Sequence, residues 1–316
     1  MPSFKSKPKP FLKWAGGKTQ LLSTIDFYLP EEFNKEKEIT YIEPFIGGGA
    51  MLFYMLQNYP QIKKAIINDI NPHLITTYRT IKEKPLELID SLKNIEDCYK
   101  SLENFEDKKN FFLEIRRQFN QNKLTDIEES SYMIFLNRTC FNGLYRENSK
   151  GHFNVPFGRY TNPTICDEAL ILSDSELLQK VEILFGDYTQ TLKYTDGYTF
   201  FYFDPPYRPL DATSSFNSYV KGSFDDNEQI RLRDFYSLIS KEGYKEVLSN
   251  SDCRGRNEED EFFDNLYKDF IIERVYAKRH INANPSKRGS LTELLIRNYE
   301  RYQGKTDSLF NILDGF

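Results

Sequence analysis

The chain has 316 residues, of which 39% are hydrophobic, so it can bury a sizeable core as one large domain or two ordinary ones. No apolar run is long enough for a transmembrane helix and the N-terminal apolar patch is too short for a signal peptide, so we expect a cytoplasmic protein without a membrane partner. Four widely spaced cysteines and three histidines argue against disulfides, a zinc site or a histidine triad, and a net charge of −5 does not by itself indicate a nucleic-acid partner.

The first third of the chain predicts a βαβ unit. A Gly-Gly turn at residues 16–17 precedes a helical segment. Signals for a strand, a glycine-rich turn, an apolar helix and a second buried strand then follow at residues 38–42, 43–49, 50–56 and 65–67. The second strand ends at Asn68-Asp69, so an acidic side chain lies at its carboxyl end.

The middle of the chain has a helical pattern. Phe111, Ile115 and Phe119 recur at i, i+4 and i+8 with polar residues between them, which predicts a helix with a core-facing stripe. Glycine, asparagine and proline breaks predict loops and a hairpin over residues 139–163. We therefore predict a mostly helical inserted domain at residues 72–165.

Strand signals return in the last half of the chain, at residues 182–185, 200–203, 246–249, 271–276 and 291–297. The last two flank a long polar loop and predict an antiparallel hairpin. The simplest architecture is an α/β domain formed by both chain ends, residues 1–71 and 166–316, around the insert.

The segment Asp204-Pro205-Pro206-Tyr207 directly follows the aromatic strand at residues 200–203. Proline lacks the N–H that a strand must donate, so the strand ends there. Ligands bind at the carboxyl ends of strands in open α/β sheets, so we expect the acid, the carbonyls beside the prolines and an exposed aromatic ring to form a site. A strong acceptor beside an aromatic plane suits a planar amine, such as an extruded nucleobase.

Three further features are candidates for a nucleoside site. The glycine turn lacks a strict G-x-G-x-x-G and the P-loop Gly-Lys-Ser/Thr, which favours a small nucleoside over a phosphate cradle. Asp69 lies about twenty residues after the glycines, as a ribose-binding acid does, and the alternative is a simple Asx turn before Pro72. Trp14 and Lys18 flank a Gly-Gly turn and suit a nucleoside and its carboxylate, or else a helix cap with a docked ring.

Two segments are locally basic despite the negative net charge. Residues 138–160 carry five basic side chains against one glutamate, and residues 278–288 carry five with no acid. Such clusters bind nucleic acid or are ordinary solvated charges. Asp187-Tyr188, after the strand at 182–185, either meets an adenine ring or forms a turn.

Several segments, taken in order, resemble the Dam-type DNA adenine-N6 methyltransferases, the D12 or alpha class, in which a target-recognition domain lies between the cofactor motif and DPPY. The segments are Phe11-Leu12-Lys13-Trp14-Ala15-Gly16-Gly17-Lys18, Glu43-Pro44-Phe45-Ile46-Gly47-Gly48-Gly49, Asn68-Asp69, Asn137-Arg138-Thr139-Cys140-Phe141-Asn142-Gly143-Leu144-Tyr145-Arg146, Phe153-Asn154-Val155-Pro156-Phe157-Gly158-Arg159-Tyr160, Asp204-Pro205-Pro206-Tyr207 and Leu248-Ser249-Asn250-Ser251. The resemblance covers nearly the whole length.

The resemblance implies a Rossmann-like methyltransferase sheet, S-adenosylmethionine as methyl donor and no metal. It implies catalysis by Asp204, Pro205, Pro206 and Tyr207. It implies cofactor contacts from Trp14, Ala15, Gly16, Gly17, Lys18, Glu43, Phe45, Gly47, Gly49, Asp69, Asp187, Tyr188 and Asp204. It also implies that the insert binds double-stranded DNA and that residues 142–156 recognise GATC. The DNA-binding candidates are Arg138, Phe141, Asn142, Leu144, Arg146, Lys150, Asn154, Pro156, Arg159, Lys287 and Arg288, the last two without a base-specific role.

Two other classes of function stay open at this point. A methyltransferase acting on cytosine N4, RNA or a protein glutamine uses a similar loop, but Asp204 in place of Asn or Ser favours adenine. A catalytically silent DNA-binding module would need neither Asp204 nor the glycine turn. The expected partners are double-stranded DNA and a restriction endonuclease that acts on the same site without being bound, and we expect a monomer or weak dimer.

Overall fold

The structure is a computed structural model that describes residues 6–14, 18–121, 123–208, 224–255, 257–277 and 291–301. The described strands form one sheet and are β1 (Ile39–Glu43), β2 (Ile62–Asp69), β3 (Val181–Phe185), β4 (Thr199–Phe203), β5 (Lys245–Ser251), β6 (Ile271–Ala277) and β7 (Leu291–Arg297). Their order across the sheet is β3-β2-β1-β4-β5-β7-β6. Strands β1 to β5 are parallel, and β7 pairs antiparallel with both β5 and β6. This confirms the predicted Rossmann-like α/β sheet with an antiparallel pair at its C-terminal edge.

Helices cover both faces of the sheet. They are α1 (Leu22–Phe27), α2 (Ala50–Asn58), α3 (Pro72–Glu83), α4 (Pro85–Ser101), α5 (Phe105–Phe119), α6 (Asp126–Thr139), α7 (Glu168–Leu178), α8 (Asp226–Lys241) and α9 (Phe262–Leu266). One hydrophobic cluster contains buried residues of α1 to α7, and a second contains those of α8 and α9 on the opposite face. None of the helices in the described part of the chain is long and apolar enough to cross a membrane.

Burial on both faces explains the composition of the central strands. Every residue of β1 and of β4 is buried, and β4 consists of Thr199 followed by four aromatic residues. Parallel strands covered on both sides have continuous apolar runs of this kind instead of an alternating pattern. The predicted strand at residues 200–203 therefore lies at the centre of the sheet.

The predicted insert is mostly helical. Its buried residues belong to the same hydrophobic cluster as the helices that cover one face of the sheet. Helix α3 packs against β2, β3 and α7 as well as against α4 and α6. Its first turn is fixed by Asn71, whose side chain accepts the Leu74 N–H, and by Pro72 at the first helical position. The division into residues 72–165 and two flanking segments stays a prediction, and α3 and α4 both pack against α7 across the predicted boundary.

The order in which strands are added to the sheet reverses between β1 and β4, which are parallel neighbours. From β1 the parallel strands run outward to β2 and β3, and from β4 they run the other way to β5. In open α/β sheets the crevice at this switch point, beyond the carboxyl ends of the strands, is where ligands bind. Glu43 and Asp204, at or just after the ends of β1 and β4, both lie at this point.

Candidate active site

The predicted catalytic acid lies at the carboxyl end of β4, where Ser249 and Lys18 meet it. The Ser249 hydroxyl donates to Asp204 Oδ1 at 3.3 Å, and Lys18 Nζ lies 3.5 Å from the same oxygen. Within the described residues, Asp204 Oδ2 has no hydrogen-bond partner. One oxygen is thus held in place by the protein and the second can accept another donor.

Lys18 is buried at the centre of a charged cluster with Tyr207 and Glu293. Only 5% of Lys18 is exposed. Its ammonium donates to the Tyr207 hydroxyl and to Glu293 Oε2, and the Tyr207 hydroxyl lies 3.0 Å from each oxygen of Glu293. Tyr207 is consequently half-buried, and the expectation of an exposed aromatic ring was wrong. The reason is a tertiary contact, because Glu293 on β7 draws the hydroxyl inward.

The pKa values of Asp204 and Lys18 are set by burial and by the charges of the cluster. Burial raises the pKa of the Asp204 carboxyl to about 6; Lys18 opposes this rise and Glu293 adds to it. Burial alone lowers the pKa of the Lys18 ammonium, but the charges of Asp204 and Glu293 outweigh it and raise that pKa above its usual range. Lys18 is therefore a permanent cation, whereas Asp204 is an acid that titrates in mildly acidic solution.

Side chains of α8 bind the segment that follows Asp204. Pro205 is buried and Pro206 is exposed, and the buried side chain of Gln229 donates to the Pro206 carbonyl at 3.2 Å. Arg208 then forms a two-pronged ion pair with Asp226 at 2.6 and 2.9 Å. The motif is fixed at both ends, so its carbonyls have a defined direction.

The glycine turn after β1 has both the backbone and the contacts that require glycine. Gly47 and Gly49 have φ angles of 46° and 73°, which favour residues without a side chain. A Cβ atom on Gly47 would lie 3.0 Å from Trp14 Cδ1, and one on Gly49 would lie 2.4 Å from the Tyr78 hydroxyl. Trp14 therefore packs directly on the turn, as the docked-ring alternative proposed. Ala15, Gly16 and Gly17 lie outside the described residues.

Both carboxylate oxygens of Asp69 accept backbone N–H groups. Its Oδ1 accepts the Asn71 N–H at 2.9 Å, which is the expected turn before Pro72, and its Oδ2 accepts the Gly47 N–H at 3.1 Å. Burial raises the pKa of this carboxyl, and the backbone N–H groups oppose the rise. The carboxylate thus lies against the glycine turn, as a ribose-binding acid must.

Asn68 joins the loops after three strands. Its side-chain amide donates to the carbonyls of Pro44 and Gly186, both at 3.0 Å, and its carbonyl oxygen accepts from Gln190 at 2.8 Å. The loops after β1, β2 and β3 are therefore fixed relative to one another by a single buried residue.

Glu43 and Phe45 both precede the three glycines of the turn but lie in different environments. Glu43 is 2% exposed and accepts from the Tyr41 hydroxyl at 2.9 Å. Burial raises the pKa of its carboxyl well above the usual range, and the hydrogen bond from Tyr41 opposes the rise. Phe45 is half-buried and packs on Tyr188 with ring centroids 5.0 Å apart.

Asp187 and Tyr188 form a turn, which is one of the two alternatives that the sequence left open. Asp187 accepts the Thr189 N–H at 3.0 Å and forms an ion pair with Arg231 at 2.7 Å. Although burial acts in the opposite sense, these hydrogen bonds lower the pKa of Asp187. Tyr188 is buried, with the Arg231 guanidinium 4.8 Å above its ring. Tyr188 is thus placed under Phe45 and not at an open surface.

The predicted target-reading segment forms a short hairpin. Isolated bridges join Glu147 to Phe153 and Cys140 to Phe157, which confirms the hairpin expected there. Arg146 Nε donates to Asn154 Oδ1 at 2.8 Å, so two of the candidate DNA-binding side chains support each other.

The remaining candidates differ in exposure. The exposed ones are Phe141, Asn142, Lys150, Pro156 and Arg159, and the half-buried ones are Arg138, Leu144, Arg146 and Asn154. Arg138 donates to the Phe11 carbonyl at 2.8 Å, so it has a structural partner. Lys287 and Arg288 lie outside the described residues.

The N-terminal segment connects this hairpin to the glycine turn. Asn137 accepts the Lys13 N–H at 2.9 Å and donates to the Lys13 carbonyl at 2.8 Å. Trp14 stacks on Tyr145, with ring centroids 5.2 Å apart, and the Tyr145 hydroxyl reaches Glu147 at 2.5 Å. The ring that covers the glycine turn is therefore also in contact with the base of the hairpin.

Sequence reasoning missed three contributors to these sites. Glu293 is a strand residue with no local motif, and only the fold brings it to Lys18. Tyr145 belongs to a quoted motif, but its partner Trp14 is remote. Ile70 is 54% exposed, which is unusual for an isoleucine, and the sequence shows only its position directly after Asp69.

Comparisons with known proteins identify the family of the chain. The family described as D12 class N6 adenine-specific DNA methyltransferase matches residues 14–281. The type II methyltransferase M.MjaIII of Methanocaldococcus jannaschii is 49% identical over 92% of this chain and 99% of its own length. The DNA adenine methylase of Vibrio cholerae is 33% identical over 92% of this chain and 95% of its own. The solved structure of the rRNA methyltransferase AviRa from Streptomyces viridochromogenes, 12% identical over 91% of this chain and 89% of its own, has a TM-score of 0.35, too low to bear on activity. The chain therefore belongs to the D12 class of N6 adenine-specific DNA methyltransferases.

Proposed function

We propose that this enzyme methylates the N6 amino group of adenine within GATC in double-stranded DNA, after the target base has left the helix and entered a pocket at Asp204 to Tyr207. The observation that carries the proposal is the geometry of Asp204. Its half-buried carboxylate is fixed through one oxygen, and the other has no partner within the described residues.

The chemistry requires a hydrogen-bond acceptor for each N–H of the adenine amine. The amine is a poor nucleophile because its lone pair is delocalised into the ring. Hydrogen bonds accepted by the Asp204 carboxylate and the Pro205 carbonyl localise that pair on nitrogen and stabilise the cation that develops. The fixed motif holds the amine in one orientation, which supplies further acceleration.

Tyr207 offers its ring to the displaced base. Its hydroxyl is held by Lys18 and Glu293, which restricts the plane of the ring. Stacking on this ring offsets part of the cost of base flipping, which is a few kcal/mol. Half-burial of the ring is compatible with this role, since one face suffices for stacking.

The residues around the glycine turn fit S-adenosylmethionine, which the family implies. When bound, it supplies a methyl group on a positively charged sulfur. Asp69 suits the ribose hydroxyls, and the buried Lys18 ammonium suits a carboxylate. Ile70 and Phe185 are 54% and 50% exposed, and Phe185 pairs in register with Asp69, so an apolar surface for a purine lies beside the acid.

The inserted domain is proposed to recognise the target sequence. Its hairpin presents Arg146 and Lys150, with the Arg146 fork oriented by Asn154. An arginine fork matches the O6 and N7 acceptors of guanine in the major groove, whereas lysine more often contacts phosphate. Arg159 and Pro156 are exposed on the same segment and complete the proposed DNA surface.

The biological setting belongs to the proposal as well. A cytoplasmic location and a monomer or weak dimer are what we infer for an enzyme that acts on DNA. A restriction endonuclease of the same specificity is an expected functional partner, and the similarity to M.MjaIII, a type II methyltransferase, supports this.

Digestion of treated plasmid tests the proposal. Unmethylated plasmid is incubated with the enzyme and S-adenosylmethionine, then cut with a nuclease blocked by methylated GATC and with one that requires it. We expect protection from the first and cleavage by the second. Labelled methyl groups on DNA with both digestion patterns unchanged would exclude GATC, and acid hydrolysis that yields N4-methylcytosine would exclude adenine N6.

A further inference from the structure

The side chain of Glu293 reaches the catalytic motif from two strands away. Glu293 lies on β7, where it pairs with Ser251 of β5 and Val275 of β6, and β5 separates it from β4. Its side chain is 16% exposed, and its carboxylate is 2.5 Å from Lys18 Nζ and 3.0 Å from the Tyr207 hydroxyl. An acid placed this deep beside a methyl-transfer motif needs a reason, because burying a charge is costly.

Lys18 has two carboxylates within reach and lies nearer to Glu293. Its ammonium is 2.5 Å from Glu293 and 3.5 Å from Asp204. The shorter contact is a direct charge-assisted hydrogen bond, and the longer one is a looser electrostatic contact. If Glu293 were absent, Asp204 would be the remaining carboxylate partner of a buried cation.

We propose that Glu293 is a positioning residue for methyl transfer, which holds the Lys18 ammonium and the Tyr207 hydroxyl so that Asp204 keeps one oxygen available for the target amine. The inference rests on the proposed role of Asp204 as acceptor. Glu293 itself touches neither the reacting nitrogen nor the methyl group in this arrangement.

The contacts of Tyr207 agree with this role. The Tyr207 hydroxyl accepts from Lys18 and donates to Glu293, and Lys18 Nζ lies 4.6 Å from the ring centroid. The ring is thus held through its hydroxyl, and one carboxylate sets both the cation and the stacking surface.

Other groups also act on Asp204, and they bear on the test. Lys18 and Ser249 lower its pKa, and Glu293 raises it. Across the site, the side chains whose own pKa responds to Asp204 are those of Tyr41 and Glu43 on β1, Tyr202 on β4, and Lys18 and Tyr207. Of these, Lys18 and Tyr207 also respond to Glu293, whereas Tyr41, Glu43 and Tyr202 do not. A shift in the titration of Asp204 in a Glu293 variant therefore reports the loss of the Glu293 charge together with the closer approach of Lys18.

The test is the pH dependence of single-turnover methyl transfer in Glu293→Gln. We expect the rate at saturating S-adenosylmethionine and DNA to fall about 10-fold to 100-fold at pH 8, as for other small displacements in an active site. We also expect the acid limb of the profile to move to lower pH. Glu182→Gln, which removes an exposed carboxylate from β3 of the same sheet, is the control and should leave rate and limb unchanged.

Two further variants separate positioning from folding. Glu293→Asp keeps the charge, so its acid limb should stay near that of the wild type even if its melting temperature falls. An unchanged rate and acid limb in folded Glu293→Gln would overturn the proposal. The proposal would also be overturned if both variants lost rate equally at every pH, in step with the fall in their melting temperatures. Failure of the proposed acceptor role would appear separately, as wild-type turnover in folded Asp204→Ala.

Discussion

At the residue scale, Asp204 is the group whose chemistry depends most on the fold. Ser249 and Lys18 engage one oxygen, at 3.3 and 3.5 Å. We predict that Asp204→Ala lowers the single-turnover rate by about 3–4 kcal/mol of barrier, the scale of one preorganised polar group. Thermal melting of the same sample checks the fold. A folded variant with wild-type turnover would show that the amine is activated elsewhere.

The pH dependence of the wild-type enzyme is a second consequence of Asp204. Burial raises its pKa to about 6, against the influence of Lys18. A protonated carboxyl can no longer accept from the amine as a carboxylate, so we predict that kcat/KM falls as the pH drops through about 6 and is level above it. Rate profiles in buffers of constant ionic strength measure this, and an acid limb below pH 4 would contradict it.

Asp69 tests the cofactor half of the site at the same scale. It accepts the N–H groups of Asn71 and Gly47, so the acid is already oriented. We predict that Asp69→Ala weakens S-adenosylmethionine binding by about 2–3 kcal/mol, the value of two charge-assisted hydrogen bonds, with a smaller effect on turnover at saturation. Calorimetric titration gives the affinity. Asp69→Asn, which keeps an acceptor for the turn, separates ribose binding from loop structure.

At the element scale, the hairpin after α6 divides its side chains between two expected tasks. Arg146 is half-buried and held by Asn154, whereas Lys150 is exposed near the turn. We predict that Arg146→Ala relaxes the choice of sequence by about 1–3 kcal/mol, while Lys150→Ala weakens binding to all duplexes alike. Methylation of GATC and of the same duplex altered at its guanine, at two salt concentrations, measures both. If Arg146→Ala still discriminates fully between the two duplexes but its DNA binding depends less steeply on salt concentration, Arg146 is a phosphate contact.

The same scale shows which elements the sequence could predict. The central strands were placed within one or two residues because burial on both faces leaves an unbroken apolar run, as in β4. Strand β2 was predicted three residues too short at its start, since exposed Lys63 and Lys64 interrupt the pattern. Motifs placed Asp204 and Asp69 correctly at strand ends. The contact between Lys18 and Glu293 could not be predicted, because they are 275 residues apart and share no pattern.

At the scale of the whole molecule, Trp14 and Tyr145 connect the proposed cofactor side to the proposed DNA side. Trp14 packs on the glycine turn and stacks on Tyr145 at 5.2 Å, and the Tyr145 hydroxyl donates to Glu147 on the hairpin. The base of the hairpin is therefore joined through Trp14 to the glycine turn of the proposed cofactor site. A ligand that orders this turn should stabilise the hairpin, and by linkage DNA on the hairpin should stabilise the turn.

This contact predicts coupling between the two ligands that depends on Tyr145. We expect a non-reactive analogue of S-adenosylmethionine to tighten binding of a GATC duplex by about 5-fold to 100-fold, within the usual range of coupling energies. Tyr145→Leu keeps much of the side-chain volume but loses the ring stack. In this variant the ratio of DNA affinities with and without the analogue should fall towards one. Fluorescence anisotropy with and without the analogue measures the ratio, and melting temperatures show whether the variant is folded. Leu86→Ala, an exposed position on α4, is the control and should retain the full coupling. Undiminished coupling in folded Tyr145→Leu would mean that the ligands communicate through the motif at Asp204 to Tyr207 and not through the N-terminal segment.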